Sequence, residues 1–108
     1  MVKDDLAIKN LFDIAIKQYQ NGKLKNAEVL FKKILKADPS NYYSLVYLGL
    51  IAIQLKKNSV SKKFLKKAIL SNPKNAVAYI NLGIVHKELN EFQKAINCYQ
   101  KAIKINPL

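Results

Sequence analysis

Arginine is absent from this chain, although 19 basic residues, all lysine, set against 7 carboxylates give it a formal net charge of +12. A charge that high attracts polyanions such as nucleic acid or an anionic membrane surface. Recognition of phosphates and base edges leans on the planar, bidentate guanidinium, which lysine cannot imitate. Lysine, asparagine and isoleucine are all abundant, a pattern that a general compositional bias of the source also produces. Nucleic-acid binding is therefore disfavoured, and the lysines would act as a sequence-independent attraction.

Cysteine is almost absent as well. The single thiol, Cys98, excludes an internal disulfide and is compatible with a reducing compartment. No apolar run approaches the roughly 18 residues of a membrane span. The mixed start, Met1-Val2-Lys3-Asp4-Asp5-Leu6, leads into no apolar segment with a small-residue cleavage site. The expectation is a soluble cytoplasmic protein with no transmembrane segment, whose lysines leave peripheral membrane contact open.

The residues that build active sites are equally scarce. His86 is the only histidine, and Cys98 follows it on a different helical segment with no further ligands at zinc spacing. Both read as packing residues, the imidazole half-buried and structural, the thiol small and inert. The carboxylates are scattered, and Asp4, Asp5 and Glu91 stand near helix starts, where negative charge suits the helix dipole. Three glycines, far apart, form no phosphate cradle. No catalytic, metal or cofactor site is expected, and the chain is read as no enzyme.

What the chain does have is a period. Its only prolines, Pro39, Pro73 and Pro107, recur every 34 residues, each near the end of a lysine-rich helical segment. They divide one domain of 108 residues into units 8–41, 42–75 and 76–108. Each unit carries two apolar-periodic segments, as in Leu11, Ile14, Ala15 and Gln18 or Leu45, Leu48, Gly49 and Ala52. Small residues at Ala27, Gly49, Ala68, Gly83, Ala95 and Ala102 allow two helices to approach closely. Asn21-Gly22, Lys57-Asn58 and Leu89-Asn90-Glu91 supply turns between the paired helices. Asp4 or Asp5, Asn41 and Asn75 cap the first helix of each pair, and each proline stops the second. Helices are predicted over 5–20, 24–37, 42–56, 59–71, 76–89 and 92–105.

The third unit carries the clearest pattern, with Tyr79, Leu82-Gly83, Ala95, Tyr99, Ala102 and Pro107. This resembles the tetratricopeptide repeat, which wants an aromatic, Leu-Gly, alanine, an aromatic, alanine and proline at those places. The second unit keeps Leu48, Gly49, Ala68 and Pro73 but has Leu45, Ser61 and Leu65 elsewhere in the pattern. The first keeps Ala27, Phe31 and Pro39, with Ala15 in place of glycine and Ile34 in place of alanine. The resemblance implies an all-α, right-handed α-solenoid of antiparallel helix pairs, six helices in three repeats, whose function resides on its faces.

It also implies which residues line the concave face. These are Phe12, Ile16 and Tyr19 with Lys9, Asp13 and Gln20, then Tyr43, Val46, Tyr47, Leu50 and Ile53 with Gln54, then Val77, Ile80, Asn81 and Ile84 with Lys87 and Glu88. Some of these could pack against one another inside the superhelix. Eleven apolar side chains on one face nonetheless exceed what a soluble monomer exposes, and they mark an interaction site for an apolar peptide or amphipathic helix. Family members that hold a chaperone's terminal carboxylate do so with a lysine, asparagine and arginine clamp. Here those places hold Phe12, Ile16, Tyr47, Val77 and Asn81, so only Asn81 could serve.

The opposite face carries Lys32, Lys33, Lys36, Lys63, Lys66, Lys67, Lys101 and Lys104, with Lys33, Lys67 and Lys101 in repeat phase. The plain reading is a solvated side that maintains solubility. The alternative is salt-sensitive docking to an acidic partner, membrane or nucleic acid. At the far end, Ile96, Tyr99, Ile103 and Ile105 lack an obvious cover. Three explanations stand: the chain belongs to a longer protein, it self-associates through this uncapped repeat, or the exposed end is tolerated. The expected function is a protein-interaction scaffold with an apolar groove. The competing reading is a repeat segment of a larger enzyme, such as a transferase, that recruits substrates.

Overall fold

Capping residues decide where the helices begin. In the computed structural model, which describes residues 4–107, Asp4 Oδ1 accepts the Ala7 N–H at 3.0 Å. Asn41 Oδ1 accepts the Ser44 N–H at 3.1 Å, and Asn75 Oδ1 accepts the Val77 N–H at 3.0 Å. Each satisfies one of the orphan donors of a helix start. The helices that follow are α1 (Asp5–Gln20), α3 (Tyr42–Gln54) and α5 (Ala76–Glu88), alternating with α2 (Leu24–Ala37), α4 (Asn58–Ser71) and α6 (Phe92–Ile105). Met1 to Lys3 and the last residue of the third unit, Leu108, lie outside the described residues.

One turn geometry closes all three hairpins. The N–H groups of Lys23, Lys57 and Glu91 donate to the carbonyls of Gln18, Ala52 and His86 at 2.9, 2.8 and 2.8 Å. The residue before each donor takes positive φ: Gly22 at 77°, Lys56 at 60° and Asn90 at 61°. This is the Schellman motif, which needs a left-handed residue just past the helix. Gly22 and Asn90 suit that conformation, as expected from the sequence. The middle turn differs from expectation: Lys56 supplies the left-handed residue, and Asn58, assigned there to the turn, opens α4. Consequently α3 stops at Gln54, two residues short of its predicted end.

The pairs α1·α2, α3·α4 and α5·α6 pack as hairpins, and α2·α3 and α4·α5 join them into a stack. The stack measures 40 × 27 × 25 Å along its principal axes. Close approach within a hairpin depends on glycine. A Cβ on Gly49 would stand 2.7 Å from Leu65 Cγ, and one on Gly83 would stand 2.6 Å from Tyr99 Cε1. Ser61, which fills an alanine place of the repeat, donates from Oγ to the Gly49 carbonyl at 2.8 Å and is fully buried. The departure from the repeat pattern therefore ties α4 to α3 at their closest approach.

Between hairpins the buried contacts are mainly apolar. Ala15, Ala27, Phe31, Ile34, Leu48 and Ile51 form the first core, and Tyr42, Leu45, Val46, Ala68 and Ala78 the second. A third comprises Leu65, Leu82 and Val85. The Tyr42 hydroxyl reaches across the second joint, accepting the Ala78 N–H at 3.0 Å and donating to the Asn75 carbonyl at 3.4 Å. It thus satisfies an N-terminal donor of α5 from the preceding unit.

Candidate interaction surface

The side of the stack formed by α1, α3 and α5 is its inner side. Helix α3 touches α5 directly, in addition to the helix between them, and side chains of α1 reach α3 through the Phe12–Tyr47 and Tyr19–Tyr47 ring contacts, whereas no backbone contact like that of α3 with α5 joins α2 to α4 or α4 to α6 among the described residues. Elements on the inside of a curve lie closer together than those outside it, so the first helices of the hairpins face the concavity.

The eleven apolar residues assigned to that face, with Asn81, fall into three environments. Phe12, Ile16, Tyr19 and Tyr47 are half-buried against the first core. Their rings cluster around Phe31: Tyr47 stacks on it at 5.1 Å between centroids, Phe12 meets it edge-on at 5.8 Å, and Tyr19 meets Tyr47 edge-on at 5.1 Å. Burial, reinforced by the neighbouring Tyr19 and Tyr43, pushes the Tyr47 phenol above its ordinary pKa. Gln54 fixes the Tyr19 end of the cluster by donating to its hydroxyl at 2.7 Å.

Val46 and Asn81 are buried, and Val46, at 2 % exposure, belongs to the second core. It supports the surface from beneath and offers no contact to a ligand. Leu50, Ile53 and Ile84 are intermediate. Tyr43, Val77 and Ile80 are open, with Tyr43 48 % exposed. Tyr43 is nonetheless held in place, since its hydroxyl accepts from Asn75 Nδ2 at 3.2 Å and its ring meets Tyr42 edge-on at 5.0 Å. A rigid aromatic of this kind loses little rotamer freedom on binding. A hollow of 240 Å³ lies beside it, lined by Asp5, Ile8, Lys9, Phe12, Asn41 and Tyr43. Of those, Asp5, Ile8 and Asn41 lie off the inner-face register: the sequence marks Asp5 and Asn41 only as helix caps, and nothing in its pattern singles out Ile8.

All eight lysines assigned to the opposite face are exposed. Lys32 lies 3.9 Å from Glu28, and Lys101 lies 6.0 Å from the Tyr79 ring centroid. Cys98 packs against the third core, and burial raises its thiol pKa, with Lys66 partly offsetting the effect. It therefore holds its proton at neutral pH. No group of three metal-binding side chains occurs among the described residues, and none of their helices is long and apolar enough to cross a membrane.

His86 is more deeply buried than expected from the sequence, because it belongs to a cluster that pattern reading missed. Its Nδ1 lies 3.0 Å from Glu91 Oε1, with Lys62 Nζ 3.6 Å from the same oxygen and Lys94 Nζ 3.4 Å from Oε2. The cluster joins α4, α5 and the start of α6. The hydrogen bond from His86, followed by Lys94 and Lys62, holds the Glu91 carboxyl down at about 2, against an ordinary 4.5. A depressed carboxylate contributes stability that is full above the unfolded pKa and lost as pH falls through the folded one. Acidification from about pH 4.5 to about pH 2 should therefore lower the melting temperature of the wild type more steeply than that of Glu91→Gln. Parallel curves for the two proteins across that window would show that the cluster contributes nothing.

Helix hairpins stacked in register, each meeting only its neighbours and presenting its first helices to a common inner face, define an α-solenoid of short repeats. Residues 42–75 and 76–107 each match the tetratricopeptide repeat, and the chain belongs to that family. It is 33% identical over 88 residues, 82% of its length, to a UDP-N-acetylglucosamine--peptide N-acetylglucosaminyltransferase of Caenorhabditis elegans. It is 32% identical over 71 residues, 66% of its length, to the Protein CTR9 homolog of Arabidopsis thaliana. These alignments span only 8% and 6% of the two curated relatives.

Among solved structures, it matches an O-GlcNAc transferase variant of Thermobaculum terrenum with a TM-score of 0.92 at 25% identity, covering 99% of this chain and 21% of that one. The first TPR of Spaghetti (RPAP3), bound to the HSP90 peptide SRMEEVD, matches with a TM-score of 0.91 at 23% identity, covering 97% and 83%. A MamA protein matches with a TM-score of 0.82 at 32% identity, covering 93% and 55%.

Proposed function

We propose that this chain is a protein-interaction module whose inner face takes an apolar peptide or amphipathic helix. The observation that carries the reading is the open patch formed by Tyr43 on α3 with Val77 and Ile80 on α5, beside the Phe12 hollow. Tyr43 and Asn75, hydrogen-bonded across the joint, form its centre. A peptide laid there would bury the tyrosine ring without needing it to reorganise. The similarity to a structure solved with a bound peptide supports this class of ligand. The chemistry of the ligand differs, because Phe12, Ile16, Tyr47 and Val77 occupy places where a carboxylate clamp needs cations and amides.

Peptides selected from a displayed library on the wild type, then titrated calorimetrically, test the proposal. A Tyr43→Ala, Val77→Ser variant should bind them at least about tenfold more weakly while keeping its helicity, since truncating a central aromatic costs about 2 kcal/mol or more. Equal affinity for both proteins would place the ligand elsewhere. Tyr47 is a poor choice for this test, because its ring is stacked on the core residue Phe31.

A second reading is supported by the alignment with the nematode transferase: the repeats form the recruiting segment of a larger enzyme. It keeps the same inner face and adds a catalytic segment elsewhere in the gene product. The mass of the native protein on a denaturing gel discriminates the two, and a species no larger than this chain sinks the second.

A further inference from the structure

The charge of this chain is sorted by helix. Helices α2, α4 and α6 carry four, four and three lysines against a single carboxylate, Glu28. The first helices of the hairpins are balanced: Lys9 and Lys17 stand against Asp5 and Asp13 on α1, α3 has no charged residue, and Lys87 stands against Glu88 on α5. A lysine-rich source composition would raise the count on every exposed helix, so it does not explain an excess gathered on the outer set.

Within that set, α2 and α4 share one arrangement. The places 29, 32, 33 and 36 on α2 recur 34 residues later as 63, 66, 67 and 70 on α4. Their i, i+3, i+4 and i+7 spacing makes one stripe on each helix. Each stripe points away from the core-facing residues, which are Ala27, Phe31 and Ile34 on α2 and Ser61, Leu65 and Ala68 on α4. Three of the four places on each helix hold lysine, and the fourth holds an aliphatic residue, Val29 on α2 and Leu70 on α4. Val29 is 65 % and Leu70 83 % exposed. The one ion pair of the stripes among the described residues is Lys32 with Glu28, at 3.9 Å.

Solubility accounts for the lysines but not for two projecting aliphatic side chains set among them. Nucleic acid fits poorly, because the stripes offer no arginine for base edges and no aromatic ring on which a base could stack. An acidic protein would need a matching socket for each projecting side chain, whereas a fluid layer needs none. Lysine suffices for a bilayer, since anionic headgroups present a spread charge that calls for no bidentate fork. Its long stem also lets the ammonium stay among the headgroups while a neighbouring aliphatic side chain enters below them.

We propose that the outer face formed by α2 and α4 docks peripherally on an anionic phospholipid bilayer. Val29 and Leu70 enter the interface, and Lys32, Lys33, Lys36, Lys63, Lys66 and Lys67 meet the headgroups. Attachment is from the surface, since none of the described helices is long and apolar enough to cross a membrane. The inner face, on the opposite side of the stack, stays open.

The test uses the whole chain with vesicles of phosphatidylcholine and phosphatidylserine, beside vesicles of phosphatidylcholine alone. Co-sedimentation should show binding to the first only, weakening sharply as salt rises. Lys33→Glu with Lys67→Glu should bind at least about tenfold more weakly, since each lysine near an anionic surface is worth about fivefold. Val29→Ser with Leu70→Ser, at unchanged charge, should weaken binding at least about fivefold. The chain has no tryptophan, so Leu70→Trp supplies a single reporter whose emission should shift to the blue on the anionic vesicles. Lys17→Glu with Lys87→Glu makes the same charge change on the first helices and should bind within about threefold of the wild type. All these places are exposed, so circular dichroism should report intact helices.

Absence of binding to phosphatidylserine vesicles at low salt would overturn the proposal. Equal weakening in the two glutamate pairs would reduce the effect to net charge and overturn the docked face. Binding unchanged by the serine pair, with no blue shift at residue 70, would remove the aliphatic contact with the bilayer. Retention on polyglutamate or single-stranded RNA that follows the stripe lysines but ignores the serine pair would assign the face to a soluble polyanion instead.

Discussion

Replacing Phe31 by alanine should lower the stability of the folded chain by about 3–5 kcal/mol, as expected for truncating a fully buried aromatic. Phe31 has no exposed surface, stacks on Tyr47 and is met edge-on by Phe12. Its removal therefore leaves a cavity and also unseats two rings of the inner face. Because a repeat array couples only neighbouring units, the damage should concentrate in the first two hairpins. Urea denaturation followed by circular dichroism measures the loss, and hydrogen exchange locates it, with α1 and α2 exchanging before α5 and α6. Phe31→Leu, which keeps most of the volume, should cost under about 1.5 kcal/mol. A Phe31→Ala protein within about 1 kcal/mol of the wild type would show that the aromatic cluster does not hold the first joint.

That cluster also shows where reading the sequence stops. The proline period, the small residues at helix crossings and the capping asparagines place all six helices, because each is a local signal with a local cause. Lys56 in the left-handed conformation carries no such signal, since glycine and asparagine are the residues that mark it, and α3 and α4 therefore differ from their predicted bounds by two residues and one at this turn. The inner face was legible only as an average. Phe12, Val46 and Ile80 occupy the same place in their repeats, yet one is half-buried, one buried and one open. A periodic reading assigns all three the same environment, whereas cover depends on whether a following hairpin packs over the site. The Glu91 cluster is hidden for a partly related reason, since His86 and Lys94 share its unit but the fourth member does not. Its Lys62 comes from the preceding unit, and no pattern within a single repeat encodes a contact between two of them.

The contact between Gly49 and Leu65 provides the sharpest test of how the hairpins are packed, because the same substitution should change sign with its partner. Leu65 is fully buried between the second and third hairpins, and Leu65→Ala should cost about 2–5 kcal/mol. In the wild type, Gly49→Ala gains about 1 kcal/mol of helix propensity. It also drives a Cβ to 2.7 Å from Leu65 Cγ, an overpacking that costs about 1–3 kcal/mol. The branch atom cannot swing aside as a side-chain tip would, so the net effect should be destabilising. In the Leu65→Ala background the clash is gone, part of the cavity is filled, and Gly49→Ala should stabilise by about 1 kcal/mol. The double-mutant cycle should therefore close with a favourable coupling of about 1–3 kcal/mol. Gly22 supplies the control. An added Cβ there meets nothing within 4 Å, but φ is +77°, so Gly22→Ala should destabilise both backgrounds equally through backbone strain alone. Additive behaviour at Gly49 as well would mean that the glycine is kept for its backbone, and that close approach of α3 and α4 does not set the spacing of the stack.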